Sequence, residues 1–124
     1  MLLSSMRNFR AGVDTVIFRS RRLVTSDSKE TNLLLCAPIS DKLALILQEV
    51  YRPKYMIVKG GMTSYDIATK SLRAKGALAL GQILPGIPVW QLDAESSAPG
   101  MTFIPFPGNQ GTVTSLSDLL TILK

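Results

Sequence analysis

The sequence contains no histidine and a single cysteine, Cys36. Without histidine, the chain cannot form Ser-His-Asp or Cys-His nucleophilic sites, histidine general bases or histidine-ligated metal sites. One cysteine excludes an intramolecular disulfide and any multi-cysteine zinc or iron–sulfur cluster. The function must therefore be sought among sites that use other residue types.

Long apolar runs are also absent. No run approaches the roughly 20 residues that a membrane-spanning helix needs, so we expect no membrane association. The apolar stretch within residues 1–7 is too short for a secretory signal, although its arginine and serines leave a transit peptide as an alternative to the end of a helix. We expect a cytoplasmic protein.

Acidic residues are few, since 14 basic and 9 acidic residues give a net charge of +5. The basic excess is concentrated early in the sequence, where Asp14 is accompanied by five arginines: Arg7, Arg10, Arg19, Arg21 and Arg22. Such a patch suits nucleic acid or another anion, but equally a solvated face or the surface for a partner. No ladder of aromatic residues accompanies it, so we expect no nucleic-acid binding.

Strand-like and helix-like segments alternate along the 124 residues. This order favours one domain over residues 1–124, with a layered α/β architecture in which helices flank a mixed β-sheet. A strand is predicted at residues 15–18 and a helix at 28–37 that Pro38 breaks or kinks. Ser40 is the predicted N-cap of a second helix, which stops soon after Tyr51.

Four further strands are predicted, at residues 55–58, 77–84, 89–92 and 101–106. The first is continuously apolar and suits a central strand buried on both faces. Pro105 favours an edge or strand-end position for the last. Residues 93–100 are small, polar and rich in turn formers, so they predict a surface loop.

Two helices carry sequence signals of a capping box, an N-cap hydroxyl paired with an acidic residue three positions later. Thr63 and Asp66 predict a helix that runs to about Leu72. Ser115 and Asp118 predict a second helix over residues 115–123. Its apolar face comprises Leu116, Leu119, Leu120 and Leu123.

The most informative segment is the glycine pair Gly60-Gly61 between a strand and a helix start. Glycines permit a sharp turn and a close ligand, and the helix start offers unpaired N–H groups and a positive dipole end. With Thr63 and Ser64 hydroxyls and Lys59 nearby, the segment predicts a phosphate cradle. It matches neither G-x-x-x-x-G-K-[ST] nor G-x-G-x-x-G, and an ordinary strand–helix turn is the alternative.

Two other features near these strands leave alternatives open. Asp66 suits magnesium binding, directly or through water, but also the capping role. The segment Gly108-Asn109-Gln110-Gly111 could present backbone N–H groups to a ligand or fit against a flat ring, or be a plain turn.

Three segments together resemble the four-carbon acid sugar kinases. They are KGGMTSYDIAT from Lys59, GQILPGIPVW from Gly81 and FPGNQG from Phe106, in the order and spacing of the family's C-terminal nucleotide-binding domain. The resemblance covers the chain from roughly Arg10 to its end. It implies the α/β fold of that domain in truncated form, about the last third of the enzyme.

Members of that family transfer phosphate from ATP, with Mg²⁺, to the terminal hydroxyl of threonate, erythronate or 3-oxo-tetronate. The resemblance implies that Gly60, Gly61, Met62 and Thr63 hold the nucleotide phosphates, with Gly108 and Asn109 against the nucleotide. It also implies a separate sugar-acid domain absent from this chain, little activity for this part alone, and self-association through apolar surface left uncovered.

The sequence departs from the family pattern at three positions. Tyr65 replaces a small residue beside the cradle, Ser71 replaces a common glycine, and Thr112 stands where an acidic residue often follows the last loop. These departures keep open an alternative function, a non-enzymatic interaction or regulatory module that retains the fold without the nucleotide.

Overall fold

The computed structural model describes residues 28–49 and 52–124. The chain divides into two compact units, Met1–Arg52 and Pro53–Lys124. Among the described residues, the first unit contains one helix, and the second contains the sheet and two further α-helices. The strand predicted at residues 15–18 and the early arginine cluster lie outside the described residues.

Helix α1, Lys29–Gln48, runs continuously through Pro38, so of the two predicted outcomes the break is wrong, and no separate second helix begins at Ser40. A proline removes one backbone hydrogen bond, but the turns on either side keep theirs. Ser28 is the N-cap, and its hydroxyl accepts a hydrogen bond from the N–H three residues on, at 3.1 Å. Ser40, the predicted N-cap, is a buried residue inside α1, which ends earlier than predicted.

The second unit contains a four-stranded sheet in the order β1-β4-β3-β2. β1 and β4 are parallel, whereas β4 with β3 and β3 with β2 are antiparallel. This arrangement confirms the predicted α/β class with a mixed sheet. The strands are β1 Tyr55–Lys59, β2 Ala77–Leu84, β3 Ile87–Leu92 and β4 Thr102–Phe106.

The predicted central position of β1 is wrong, and β4 is not an edge strand, although Pro105 does lie near its end as the alternative prediction has it. Of the β1 residues only Val58 is buried, and β1 is an edge strand of the described sheet. The last four residues of β4 are buried, and since neighbours along a strand point to opposite faces, β4 is covered on both. Pro105 is tolerated in this inner strand because the β3–β4 register ends at Phe103, so Pro105 is not paired with a β3 residue.

β2 has the predicted bounds, and β3 begins at Ile87 rather than Val89. The turn between them makes the two strands an antiparallel hairpin. Trp90 of β3 stacks on Phe103 of β4, with ring centroids 6.3 Å apart and planes at 19°. This contact places the tryptophan in the packing of the sheet.

Residues 93–100 are irregular, as predicted, but not entirely at the surface, because Ser96 and Ala98 are buried. The Asp93 carboxylate accepts hydrogen bonds from the backbone N–H groups of Lys75 and Gly76, at 3.2 and 3.1 Å. These bonds tie the loop to the segment before β2 and give Asp93 a structural role.

Helix α2, Gly61–Asp66, continues directly into a π-helical segment, Ile67–Ser71. The end is close to the predicted one near Leu72, but the predicted start is wrong. Gly60 is the N-cap of α2 and Thr63 lies within the helix. The reason is the positive φ of Gly60, 96°, which turns the chain sharply enough for the helix to begin at the next residue.

Helix α3, Ser115–Leu123, has the predicted bounds but a different cap. Thr114 is the N-cap, and the Ser115 hydroxyl instead accepts a hydrogen bond from the Thr112 N–H at 2.7 Å. Leu119 is fully buried, as predicted, whereas Leu116 is 42% exposed and does not belong to the buried face.

One hydrophobic cluster joins the sheet to α3. Its buried members are Ile87, Ile104, Phe106 and Leu119, with Ile57 and Leu123 among the partly buried residues packed on them. Phe106 is the last residue of β4, so the core fixes the point at which the chain leaves the sheet. No helix among the described residues is long and apolar enough to cross a membrane.

Candidate functional site

Two glycine-containing loops leave the sheet side by side. The first loop, residues 60–63, follows β1 and consists of the turn at Gly60 and the start of α2. The second loop, residues 107–111, follows β4. Because β1 and β4 are parallel neighbours, their carboxyl ends lie at the same end of the sheet, where α/β proteins commonly bind ligands. The sheet therefore brings together two segments that are far apart in the sequence.

The backbones of the two loops approach each other closely. The Gly60 N–H donates a hydrogen bond to the Phe106 carbonyl at 2.8 Å. A Cβ placed on Gly108 would lie 3.9 Å from the Gly60 Cα, at ordinary van der Waals distance. Gly60 and Gly108, which the sequence assigned to one binding site, thus lie next to each other.

A buried serine holds the first loop in place. The Ser64 hydroxyl lies 2.9 Å from the Val58 carbonyl oxygen and 2.7 Å from that of Gly60, and donates its single proton to one of them at a time. The Ser64 N–H also donates to the Gly60 carbonyl, at 2.9 Å. Ser64 is 3% exposed, so it acts as a structural clamp rather than as a ligand for phosphate.

Gly61 has no such structural need for glycine. It opens α2 with an ordinary φ, and a Cβ built there would meet no atom within 4 Å. It shares the first turn of α2 with Met62, which is exposed, and Thr63, which is half-buried. The N–H groups of a first helical turn have no carbonyl partner within the helix, and the Gly60 N-cap supplies no side-chain acceptor.

The second loop contains one glycine that the fold requires and one that it does not. Gly111 has a φ of 88°, and a Cβ there would lie 2.7 Å from Cζ of Phe106 and 3.0 Å from Oγ of Ser115. Gly108 has an ordinary φ, and both it and Asn109 are exposed. Gly111 therefore closes the loop against the core, while Gly108 and Asn109 form its open part.

The turn between β2 and β3 contacts the second loop. A Cβ on Gly86 would lie 2.9 Å from Oε1 of Gln110, so the two residues are packed closely. The Gly86 N–H donates to Oε1 of Gln82 at 3.0 Å. All three segments that carry the family resemblance are thus linked through Gly60–Gly108 and Gly86–Gln110 contacts.

Lys59 extends from β1 to the second loop. Its Nζ lies 3.2 Å from the Gly108 carbonyl oxygen, 3.4 Å from that of Pro107, and 4.7 Å from the centre of the Phe106 ring. The sequence placed this charge beside the first loop. The structure shows that it is bound to the other one.

Two neighbouring side chains differ from what their positions suggested. Asp66 forms an ion pair with Lys70 at 3.2 Å and does not cap α2, whose N-cap is Gly60. Tyr65 is 69% exposed, with most of its surface facing solvent. Among the described residues, no group of three or more acidic or cysteine side chains is arranged to hold a metal ion.

Sequence reasoning missed Ser64 as a clamp and Gln110 as the link to the β2–β3 turn. A serine four residues after a turn glycine has no distinctive signal, and the Gly86–Gln110 contact depends on the strand order. The assignment of Gly60, Gly61, Met62, Thr63, Gly108 and Asn109 to a nucleotide stays a prediction.

Comparison with known proteins identifies the family of the chain. A model of the nucleotide-binding C-terminal domain family matches residues 2–116, most of the sequence. The chain belongs to this family. Searches of curated proteins and of solved structures give no significant match.

Proposed function

We propose that this member of the nucleotide-binding C-terminal domain family is the ATP-binding portion of a four-carbon acid sugar kinase. The reaction would transfer the terminal phosphate of ATP to the terminal hydroxyl of a sugar acid such as threonate, erythronate or 3-oxo-tetronate. Gly60, Gly61, Met62 and Thr63 would bind the phosphates. Gly108 and Asn109 would lie against the nucleotide from the second loop.

The observation that carries this proposal is the contact between the first and second loops. A nucleotide is long enough to touch two loops. Backbone N–H groups at a turn and at a helix start are good hydrogen-bond donors to phosphate. Gly60 and Gly108 lie close together, and the exposed residues Gly61 and Gly108 lie at the same carboxyl end of the strands. The family match supports a nucleotide as the ligand.

Gly61 gives independent support. Neither its φ nor its surroundings require glycine, and alanine is the better helix former by about 1 kcal/mol. A glycine that the fold does not need is explained if a ligand must come close to the backbone there.

Magnesium would reach the site with the nucleotide. The described side chains offer it no cluster of carboxylates, and Mg²⁺ commonly takes its ligands from phosphates and water. Phosphoryl transfer depends on the positioning of both reactants, and these two loops would bind only the nucleotide. The sugar acid would therefore be bound by another domain, and the present one would transfer little phosphate by itself.

The remaining parts of the proposal concern the setting. We propose that residues 1–124, which include both compact units, act as one nucleotide-binding domain; the family match over residues 2–116 includes parts of both units. We also propose self-association and a cytoplasmic location, where ATP and sugar acids are available.

The first experiment is a thermal-shift titration with Mg-ATP and Mg-ADP. A ligand at 100 times its Kd stabilises the folded state by about 2.7 kcal/mol, which corresponds to a shift of roughly 10 °C for a domain of this size. We expect a saturable shift with either nucleotide and none with threonate. No shift with nucleotide would contradict the proposal.

The Gly61→Val variant tests the location of the site. The added side chain has room in the ligand-free fold, so we expect an unchanged Tm without nucleotide and loss of the nucleotide-dependent shift. Gly76→Val is the matched control, because Gly76 also has an ordinary φ and open surroundings but lies before β2. A full nucleotide shift in Gly61→Val would remove the first loop from the site.

A further inference from the structure

Lys59 makes an unusual set of contacts with three consecutive residues. Its ammonium group contacts the Phe106 ring face and the carbonyl oxygens of Pro107 and Gly108. A lysine ammonium has three donors and no acceptor, and ring faces and carbonyl oxygens both carry partial negative charge. The end of β4 and the first two residues of the second loop therefore present three successive groups to one cation.

The contacts differ from those of other lysines in the same unit. Lys70 pairs with Asp66 on its own helix, and Lys75 pairs with Glu95 at the surface. Lys59 instead reaches 48 and 49 positions along the sequence to backbone carbonyls. Together with the Gln110 N–H, which donates to the Pro107 carbonyl at 3.3 Å, these contacts hold a backbone segment in one orientation.

Peptide geometry gives this orientation a consequence. The described peptide bonds contain no cis bond, and in a planar trans peptide the N–H points opposite to the C=O. The Pro107 carbonyl shares its peptide with the Gly108 N–H, and the Gly108 carbonyl shares its peptide with the Asn109 N–H. Because both carbonyls face Lys59, both N–H groups point away from it.

We propose that Lys59 is a positioning residue that orients the N–H groups of Gly108 and Asn109 for the nucleotide. This inference rests on the proposed function, since it assigns those two N–H groups to the same ligand. Lys59 acts through the second loop and need not touch the nucleotide itself.

The test compares Lys59→Met and Lys59→Arg with the wild type, with ADP as the probe. Methionine keeps much of the length of the side chain but removes its charge and donors, whereas arginine keeps both. Two quantities are measured: ADP affinity by calorimetry, and the amide ¹H–¹⁵N signals of Gly108 and Asn109 without ligand. Lys54→Met is the control, because Lys54 is also exposed but immediately precedes β1, at the opposite end of the strand from Lys59.

We expect Lys59→Met to weaken ADP binding by about tenfold, the loss equivalent to one well-oriented hydrogen bond. It should also shift the two amide signals in the ligand-free protein. Lys59→Arg should largely restore both properties, and Lys54→Met should leave them unchanged. Lys59 is exposed, so the Met variant should keep the wild-type Tm.

Three results would overturn the inference. Unchanged ADP affinity in Lys59→Met would overturn it and leave the proposed function intact. Weaker binding with unchanged amide signals would assign Lys59 to direct contact with the phosphates instead. No ADP binding by the wild type would overturn the proposed function and this inference with it.

Discussion

The first and second loops occupy equivalent places in the sheet but are held in different ways. The first loop leads at once into α2 and is clamped by Ser64, four residues from Gly60. The second loop runs through several irregular residues before α3. Besides the turn bond from the Gln110 N–H to the Pro107 carbonyl, it is held by distant groups, Lys59 and the β2–β3 turn. Apart from the Gly60–Phe106 bond, the first loop is thus specified by local contacts, whereas the second depends more on the assembled fold.

Each loop also contains one glycine that the backbone requires and one that it does not. Gly60 and Gly111 have positive φ values of 96° and 88°, whereas Gly61 and Gly108 have ordinary ones. The first pair shapes the loops. The second pair leaves the surface of the loops bare, which is the property that a closely bound ligand needs. Substitution to alanine separates these two roles.

Gly111→Ala should have the largest effect on stability. The new Cβ would lie 2.7 Å from the Phe106 ring, and the positive φ adds backbone strain. We expect the free energy of unfolding to fall by about 3 kcal/mol, from strain and overpacking together. Urea denaturation measures the change, with Gly76→Ala as a control that meets neither obstacle. Equal stability of the two variants would show that Gly111 is not a structural glycine.

Gly60→Ala should have an intermediate effect. The nearest atom to a Cβ there is Oγ1 of Thr63 at 3.8 Å, so only backbone strain opposes the substitution. We expect a loss of about 1–2 kcal/mol in urea denaturation, with weaker nucleotide binding because the first turn of α2 shifts. Gly81→Ala on β2 is the matched control, since Gly81 also has a positive φ and open surroundings.

The outcome for Gly81→Ala decides how Gly60→Ala is interpreted. A similar loss of stability with normal ADP affinity in Gly81→Ala would attribute the binding defect of Gly60→Ala to its position. A binding defect of equal size in both variants would instead attribute it to general destabilisation, and the comparison of loops would lose its support.

The difference between the loops also explains what the sequence could predict. The α/β class, the bounds of β2 and α3 and the first loop depend on local patterns, and these are readable along the chain. The inner position of β4 was missed because strand order is set by long-range pairing, against the local signal of Pro105. The N-cap of α2 was missed because the φ of Gly60 is not visible in residue types.

The second loop shows the same limit more clearly. Its local sequence allowed a plain turn, and only the resemblance of three segments assigned it to a nucleotide. The contacts that hold it join Lys59 to Gly108 and Gly86 to Gln110, pairs that are far apart in the chain. Such contacts follow from the strand order and could not be derived before it was known.

Gly108→Ala should have the smallest effect on the fold and so gives the sharpest separation of the two roles. Its Cβ would lie 3.9 Å from Gly60, at ordinary contact distance, and its φ suits any residue. We expect a change in stability within about 0.5 kcal/mol, together with a reduction of ADP affinity by about tenfold as the methyl group holds the nucleotide away from the backbone. Urea denaturation and calorimetry on the same sample measure both. A stable variant with normal ADP affinity would mean that the bare surface at Gly108 serves no ligand, whereas a strongly destabilised one would make Gly108 a structural glycine like Gly111.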